Sequence, residues 1–344
     1  MNEIFCNTYG KRDADGIYRV EMRGTGARIR QMTALRYLEW VCPAAGGLFY
    51  AVGQEEGGGS YIRSFYHEQH SDTFVPVDKK LFSWKGVSHM SLMENEGRLL
   101  AAVYGEGMLV SVRVREGQIG GEDSRVAFEG HGPREDRQEA SHPHFVKWMQ
   151  GEYWAADLGA DAVYHCNRTE WFGKRGKWMT EYMTEGSGPR YLEMNPSGGM
   201  IYLITELSNE LLVLERTVSG KLKERQRIAL VSERMEESLA SVLCADWTGN
   251  RLYAGIRGAN LVRELSVTEN GTLREKGELH TGGWPRSLLY LPEPARLLVA
   301  EEESEHSSGM LECFDLSDQN SMWRIRLTGA YQIYEKKDRI RQAL

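Results

Sequence analysis

Short apolar runs separated by tight polar turns are the dominant pattern along the chain. In the clearest example, an apolar run at 191–194 is followed by a polar stretch at 195–199, a second apolar run at 200–204 and a third at 211–214. Pro196 fixes φ and the glycines after it supply positive φ, so the first two runs are predicted to form a hairpin. No segment sustains an apolar period of about 3.6 residues, and long helices are therefore not expected.

The same three-strand phrase recurs along the chain. The further copies have their runs at 37–41, 48–52 and 61–66; at 89–93, 99–104 and 108–112; at 145–148, 153–156 and 162–164; at 242–245, 252–254 and 261–265; and at 287–291, 297–300 and 310–314. The two chain ends supply one more copy. Residues 4–7, 17–20 and 27–29 resemble its second, third and fourth strands, and residues 331–334 resemble its first strand.

Seven such units in 344 residues have about 49 residues each, which is within the range of four-stranded propeller blades. Pairing the N-terminal strands with the C-terminal strand would close a ring and remove exposed sheet edges. The sequence therefore predicts an all-β protein. We expect one domain over residues 1–344, folded as a seven-bladed β-propeller with four-stranded antiparallel blades.

Composition narrows the range of partners. The chain has 42 Lys+Arg and 49 Asp+Glu, a net charge of −7, with no dense basic block, so binding to nucleic acid or to an acidic membrane is not expected. The five cysteines are scattered without a C-x-x-C pair, which favours a reducing compartment. The start has no secretory pattern and no long apolar run occurs, so the prediction is a cytoplasmic protein without a membrane span.

In a propeller, the ends of the second strands and the starts of the first strands meet around the central channel. The second strands are predicted to end at Thr8-Tyr9, Gly53-Gln54, Val103-Tyr104, Asp157-Leu158, Thr205-Glu206, Ile256-Arg257 and Glu301-Glu302. The first strands begin near Ser88-His89, His142-Pro143-His144, Gly188-Pro189-Arg190 and Trp284-Pro285-Arg286. On this arrangement, four residues from three adjacent blades are expected to form one cluster: His144, Arg190, Glu206 and Arg257.

At these positions the chain resembles the lactonase family of seven-bladed propellers, which includes propeller-type 6-phosphogluconolactonases and the fungal carboxymuconate lactonizing enzyme. The matching stretches are Gly186-Ser187-Gly188-Pro189-Arg190, Glu206-Leu207-Ser208, Asp157-Leu158-Gly159-Ala160-Asp161, Arg257-Gly258, and Thr8-Tyr9 followed by Gly16-Ile17-Tyr18. The resemblance implies that His144, Arg190, Glu206 and Arg257 are the active-site residues. The sequence departs from the family where Asn commonly ends the second strands, and Gln54 stands where an early blade often has Glu.

Lactone hydrolysis needs a base to activate water and donors that face the developing oxyanion. Arg190 and Arg257 suit an anionic group of the substrate because guanidinium pairs well with carboxylate and phosphate. Glu206 or His144 could accept the proton, and two nearby arginines would keep Glu206 ionised. The further residues expected to contact substrate are His142, His89, Tyr104, Asp157 and Arg286. No metal or cofactor is expected.

Other interpretations of the same residues remain open. His142-Pro143-His144 could be half of a metal site, although no third ligand has a recognisable spacing. Asp157 and Asp161 could instead cap a blade corner, and residues 134–137 read as an exposed charged loop. The predicted substrate is a small anionic sugar lactone, handled by a monomer or weak homo-oligomer. The alternatives are a carboxymuconate-type cycloisomerase and a binding scaffold without turnover.

Overall fold

The computed structural model describes residues 3–172, 178–231, 238–305 and 307–337. Strands make up most of this part of the chain. They are β1 Ile4–Thr8, β2 Gly16–Arg23, β3 Gly26–Ala34, β4 Leu38–Pro43, β5 Leu48–Gln54, β6 Ser60–Glu68, β7 Thr73–Phe82, β8 Val87–Met93, β9 Arg98–Val103, β10 Met108–Arg115, β11 Gln118–Ala127, β12 Pro143–Met149, β13 Glu152–Asp157 and β14 Ala162–Asn167. They continue with β15 Met179–Tyr182, β16 Pro189–Met194, β17 Met200–Thr205, β18 Glu210–Arg216, β19 Leu222–Ala229, β20 Leu239–Asp246, β21 Arg251–Arg257, β22 Leu261–Val267, β23 Leu273–His280, β24 Trp284–Pro292, β25 Ala295–Glu302, β26 Met310–Asp315, β27 Asn320–Arg326 and β28 Ala330–Glu335.

Helical structure is brief in the described residues. One short α-helix, α1, spans Arg168–Phe172, and 3-10 turns lie at Ala45–Gly47, Glu94–Glu96 and Tyr104–Glu106. No helix in these ranges is long and apolar enough to cross a membrane. The expectation of an all-β chain is confirmed.

The strands form seven antiparallel sheets of four strands each. We number the blades in chain order: blade 1 is β28-β1-β2-β3, and blades 2 to 7 are β4–β7, β8–β11, β12–β15, β16–β19, β20–β23 and β24–β27. The first strands of neighbouring blades contact one another all the way round, from β4 through β24 to β28 and back to β4. The predicted seven-bladed propeller is therefore confirmed.

The ring closes as predicted, because the C-terminal strand β28 pairs antiparallel with the N-terminal strand β1. Cys6 is opposite Ile333 and Ile4 is opposite Glu335 in this pairing. Closure joins the two ends of the chain within one sheet, so the inner edge of β1 is paired and not left open.

The predicted hairpin between β16 and β17 shows how local sequence builds a blade. Gly198 has φ of +74°, and the Asn195 side chain accepts a hydrogen bond from the Met200 backbone at 3.0 Å. The alternating apolar side chains of β17 and β18 then pack against the next blade. Tyr202, Ile204, Leu211 and Val213 are buried against residues of blade 6 such as Ala254 and Ile256.

Polar side chains on the first strands bind the blades to one another near the axis. The Gln332 amide exchanges two hydrogen bonds with the Val41 backbone, at 2.9 and 3.0 Å. The Ser88 hydroxyl donates to the Pro143 carbonyl at 3.0 Å, and Ser241 donates to the Pro285 carbonyl at 2.5 Å. Because these bonds cross between blades, they tie the first strands of blades 1 and 2, of blades 3 and 4, and of blades 6 and 7 to one another.

Candidate active site at the mouth of the axial channel

A β-bulge recurs at the same place in every blade. Near its start, each of the seven first strands leaves one residue out of its pairing with the second strand. The seven skipped residues are Glu39, Ser88, His144, Arg190, Ser241, Arg286 and Tyr331. A bulge turns a side chain out of the regular alternation of the sheet, and the bulged residues of blades 3 to 7 line one small cavity on the axis.

A second set of residues surrounds this ring at the ends of the second strands. It comprises Tyr9, Gln54, Tyr104, Leu158, Glu206, Arg257 and Glu302. The backbone N–H of Glu206 donates to Gly188 O at 2.7 Å, directly before the strand that carries Arg190. The equivalent bond in blade 4 joins Leu158 N to His142 O at 3.1 Å. The fold therefore brings strand starts and strand ends together, as the sequence interpretation required.

Glu206 is the centre of the cluster and only 1% of its side chain is exposed. Its Oε2 contacts the Nη1 of Arg190 and lies 3.0 Å from the Nη2 of Arg257. Its Oε1 accepts a hydrogen bond from the Nη2 of Arg137 at 2.6 Å. One carboxylate therefore faces three guanidinium groups, a balance that leaves the site with excess positive charge.

Arg190 links this carboxylate to the imidazole of the preceding blade. Its Nε donates to Ser241 O at 2.7 Å, and its Nη1 also contacts the Nε2 of His144. Guanidinium has only donors, so His144 Nε2 accepts and the proton of its neutral ring is on Nδ1. The four residues predicted to converge, His144, Arg190, Glu206 and Arg257, are in mutual contact through this chain of bonds.

Arg257 extends the cluster into blade 7. Its Nη1 donates to Glu302 Oε1 at 3.0 Å, while Glu302 Oε2 lies 3.7 Å from the Nε of Arg286. Arg286 in turn contacts the hydroxyl of Tyr331 and lies over its ring, 4.4 Å from the centroid. Nε and Nη2 of Arg257 make no well-aligned hydrogen bond to any described residue. Nη2 nevertheless lies close enough to Glu206 to form an ion pair with it. Nη2 is therefore paired with Glu206, and Nε is the donor that has no acceptor among the described residues.

Burial and charge set the protonation states of the cluster. Desolvation raises the pKa of Glu206, but Arg190, Arg257 and Arg137 together bring it well below the usual range. Desolvation, with the charge of Arg190, lowers the pKa of His144 well below 6.5. Burial lowers the pKa of Arg190 to about 9, so it remains a cation at neutral pH. Glu206 is thus ionised and His144 neutral in the free protein, and the expectation for Glu206 holds.

Arg137 is a member of the cluster that the sequence interpretation missed. Residues 134–137 were expected to form an exposed charged loop, and Arg134 does pair with Asp136 at 3.4 Å on the surface. Arg137 instead turns inward, with 29% of its side chain exposed, to reach Glu206. The available hint was the length of the connection over residues 128–142, which is longer than any other between blades. Glu302 was placed at a second-strand end and Tyr331 in a first strand, and neither was expected to join this cluster.

Asp157, predicted as a substrate ligand, is fully enclosed. Its two oxygens accept hydrogen bonds from the backbone of His142, Gly159 and Ala160 and from the hydroxyls of Ser141 and Tyr164, at 2.5 to 3.2 Å. Asp157 therefore holds the start of β12 and so positions His144, and we give it no part in contacting substrate. The alternative interpretation, a carboxylate that caps a blade corner, describes this environment.

Asp161 does the same for the next blade. Its carboxylate accepts from the backbone of Gly186 at 2.7 Å and of Gly188 at 2.8 Å. Gly188 has φ of +64°, which a residue with a side chain adopts rarely. This turn delivers the chain to Pro189 and Arg190. The two most specific stretches of the family resemblance thus position the first-strand bulges.

Two other residues predicted to contact substrate, His142 and Tyr104, lie beside the cluster. His142 stacks on Tyr104 with centroids 4.3 Å apart, and its ring nitrogens face Tyr104 O at 2.8 Å and Glu139 Oε1 at 3.0 Å. Tyr104 also lies edge-on to His144 at 5.8 Å, so it borders the cluster. Because the two histidine rings have separate partners, they form no joint metal site.

His89 lies below the cluster in the channel. It packs between Trp40 and Phe145, with centroids 4.6 and 4.7 Å away, and its Nδ1 accepts from Val146 N at 3.4 Å. Burial lowers the pKa of His89 to about 3, so it is neutral. It lines the floor of a cavity of about 120 Å³ whose rim includes His144, Arg190 and Arg286.

Among the residues that the structure describes, one group of acidic and histidine side chains outside the axial cluster has ligand-like spacing, namely Glu3, His67 and Asp72. Its carboxylates already have cationic partners. Arg19 lies 2.5 Å from Asp72 and 3.2 Å from Glu3, and Lys336 lies 2.5 Å from Glu3. These contacts favour an ion-pair network that joins blades 1 and 2 over a metal site.

Comparison with known proteins agrees with this fold. The family model described as a seven-bladed β-propeller lactonase matches residues 3–315. A 6-phosphogluconolactonase of Bacillus subtilis is 24% identical over 311 residues, which cover 87% of this chain and 88% of that protein.

Two solved structures share the fold over nearly the whole chain. A protein from Lactobacillus plantarum superposes with a TM-score of 0.86 at 20% identity, covering 98% of this chain and 99% of that one. The periplasmic gluconolactonase of Pseudomonas aeruginosa superposes with a TM-score of 0.85 at 19% identity, covering 97% of this chain and 99% of that one. At these identities the structural likeness establishes the fold alone.

Proposed function

The chain belongs to the lactonase family of seven-bladed β-propellers, and on that premise we propose that it hydrolyses a small sugar-acid lactone that carries an anionic group. The first substrate to consider is 6-phosphogluconolactone, since the Bacillus subtilis relative bears the name of that activity. The cytoplasmic location and the independence from metals and cofactors remain predictions from the sequence.

The observation that carries the proposal is the charge of the axial cluster. Four guanidinium groups, from Arg137, Arg190, Arg257 and Arg286, face two carboxylates, from Glu206 and Glu302, a difference of +2. One donor of Arg257, its Nε, is buried and has no acceptor among the described residues. A buried polar group without a partner is costly, so an anionic ligand that supplies acceptors here would bind favourably.

The reaction adds one water molecule to the lactone. The water oxygen bonds to the carbonyl carbon, and one water proton passes to a base. The ring carbon–oxygen bond then breaks, and the ring oxygen takes that proton and leaves as a hydroxyl. The carboxylic acid that forms ionises at neutral pH and releases one proton to solvent.

The chain supplies groups for each part of this reaction. Arginine donors at the channel mouth can stabilise negative charge as it develops on the carbonyl oxygen. Glu206 is ionised and can accept the water proton. His144 is a weaker choice of base, because the single lone pair of its Nε2 is used by Arg190, whereas each carboxylate oxygen of Glu206 has a second lone pair. We therefore assign His144 to holding Arg190 in place and Glu206 to proton transfer.

The test is acid release from freshly generated 6-phosphogluconolactone, followed in weakly buffered solution with a pH indicator and corrected for spontaneous hydrolysis. Glucono-δ-lactone and unphosphorylated γ-lactones complete the panel. We expect acceleration by the wild-type protein and a loss of about 10²-fold or more in Glu206→Gln. Failure to accelerate any lactone would reject the proposal. Loss of carboxymuconate absorbance in the absence of lactone hydrolysis would point to the cycloisomerase instead.

A further inference from the structure

The connection over residues 128–142 is an ordered loop beside the cluster, held by its own hydrogen bonds. Its Gln138 side chain is fully buried. The amide nitrogen donates to Leu158 O at 2.8 Å, and the amide oxygen accepts from the Arg134 backbone at 3.3 Å. The chain also folds back on itself through Gly132 N to Gln138 O at 3.0 Å. These bonds hold Gln138 in place. Because Arg137 is its neighbour in the chain, they also limit the positions that the Arg137 side chain can reach.

This connection packs against the turn between β13 and β14. A Cβ on Gly159 would lie 1.9 Å from Ala140 O, and a Cβ on Gly130 would lie 2.8 Å from the Ala160 side chain. Such close approach of two backbones requires glycine. The connection is therefore held against blade 4, while Arg137 extends across to the carboxylate of blade 5.

Arg137 differs from the other two arginines on Glu206 in its exposure. Its side chain is 29% exposed, against 4% for Arg190 and 8% for Arg257. Arg190 and Arg257 both meet Oε2 of Glu206, whereas Arg137 is the single described partner of Oε1. The most exposed of the three arginine side chains thus covers the carboxylate oxygen that has no other described donor.

We propose that Arg137 recognises the anionic group remote from the lactone carbonyl, and that in doing so it leaves Glu206 and frees Oε1 to accept the proton of the attacking water. The inference rests on the lactonase function proposed above and adds to it the residue that selects lactones with a phosphate or carboxylate tail over neutral lactones. A neutral lactone has no anionic group to bind Arg137, so Arg137 stays bonded to Oε1 of Glu206 and this oxygen is not available as a base.

The electrostatics of Glu206 support this exchange. Apart from desolvation, the groups that act on it are Arg190, Arg257, Arg137 and His144, and each lowers its pKa. Removing Arg137 leaves two guanidinium groups on Oε2, so the carboxylate stays ionised at neutral pH. Its pKa must nevertheless rise, because one source of stabilisation of the charged form is gone. A carboxylate with a higher pKa is a stronger base.

The experiment compares Arg137→Gln with the matched control Arg134→Gln, which changes an arginine of the same connection that pairs with Asp136 on the surface. Each variant and the wild type are assayed on 6-phosphogluconolactone and on glucono-δ-lactone. For the phosphorylated lactone we expect kcat/KM to fall about 10- to 100-fold in Arg137→Gln. For the neutral lactone kcat/KM should rise in Arg137→Gln, because Oε1 of Glu206 is uncovered, and Arg134→Gln should match the wild type on both.

Two further measurements separate recognition from a merely structural role. The acidic limb of the kcat/KM profile for the neutral lactone reports the base of the free enzyme, and it should move to higher pH in Arg137→Gln. By calorimetry, 6-phosphogluconate should bind the wild type about tenfold or more tightly than gluconate, and Arg137→Gln should lose this preference.

Each outcome decides between the two proposals. Equal losses on both lactones, or an acidic limb that does not move, would overturn the role of Arg137 and leave the lactonase function intact. If the wild-type protein neither hydrolyses a lactone nor binds either sugar acid, both proposals fail. An unchanged unfolding midpoint for Arg137→Gln would exclude misfolding as the cause of any loss.

Discussion

Replacing Glu206 by Gln removes one negative charge from among three guanidinium groups while keeping the size of the side chain. The substitution abolishes the ion pairs with Arg137 at 2.6 Å and Arg257 at 3.0 Å, together with the pair to Arg190. Two unit charges about 3 Å apart attract by about 5 kcal/mol at an effective dielectric constant of about 20. Desolvation offsets much of this, and breaking a buried pair on one side costs about 3–5 kcal/mol because the partners stay buried without compensation.

We therefore expect Glu206→Gln to lower the free energy of unfolding by about 4 kcal/mol at pH 7. Unfolding entropy scales with chain length, so for a cooperative transition this corresponds to a fall of about 5 °C in Tm. Urea titration followed by tryptophan fluorescence measures the free energy directly. The matched control is Glu303→Gln, an exposed carboxylate paired with Arg12 at 2.9 Å, for which the decrease should be about 0–1 kcal/mol.

The pH dependence gives a second check with a defined sign. The pKa of Glu206 is lowered from 4.5 by folding, so its contribution is fully present above about pH 5 and is lost as pH falls toward the folded-state pKa. The difference in stability between wild type and Glu206→Gln should be constant from about pH 6 to about pH 8 and smaller near about pH 4. A difference below about 1 kcal/mol at pH 7, or one that widens in acid, would refute the reasoning.

Other predictions follow from the same contacts. His144→Ala should lower kcat about 10²-fold, because Arg190 loses the acceptor that positions it. His144→Gln, whose amide oxygen can accept from Arg190, should retain activity within about tenfold; equal losses would favour direct proton transfer by the imidazole. Burial raises the pKa of Glu39 to about 7, so the stability of the wild type relative to Glu39→Gln should fall by about 3 kcal/mol as pH rises from 5 to 9, and a flat difference in urea titrations would contradict this. Gly159→Ala should displace residues 128–142, because its Cβ would lie 1.9 Å from Ala140 O, costing about 1–3 kcal/mol and lowering kcat/KM for the phosphorylated lactone. Gly121→Ala, with no heavy atom within 4 Å, is its control and should be neutral in both unfolding and turnover.

The sequence by itself determined the blades and the order in which they close. Alternating apolar residues and turns such as 195–199 encode strands and hairpins through short-range preferences, which act in any context. The strand ends that carry Glu206 and Arg257 could be located in the same way. Their convergence followed from the ring, since the ends of equivalent strands in a propeller lie on one face.

Tertiary structure alone decided how those side chains meet. The bulge that turns His144 and Arg190 toward the axis is a register shift between strands, and no residue pattern within a strand records it. Asp157 could be placed at a strand end, but whether its oxygens met substrate or backbone depended on the packing of the turn beside it. Arg137 reaches Glu206 across 69 positions of sequence. Such a contact depends on where Gln138 anchors its connection against blade 4, and local sequence preferences contain no information about a surface that exists only after the blades have assembled.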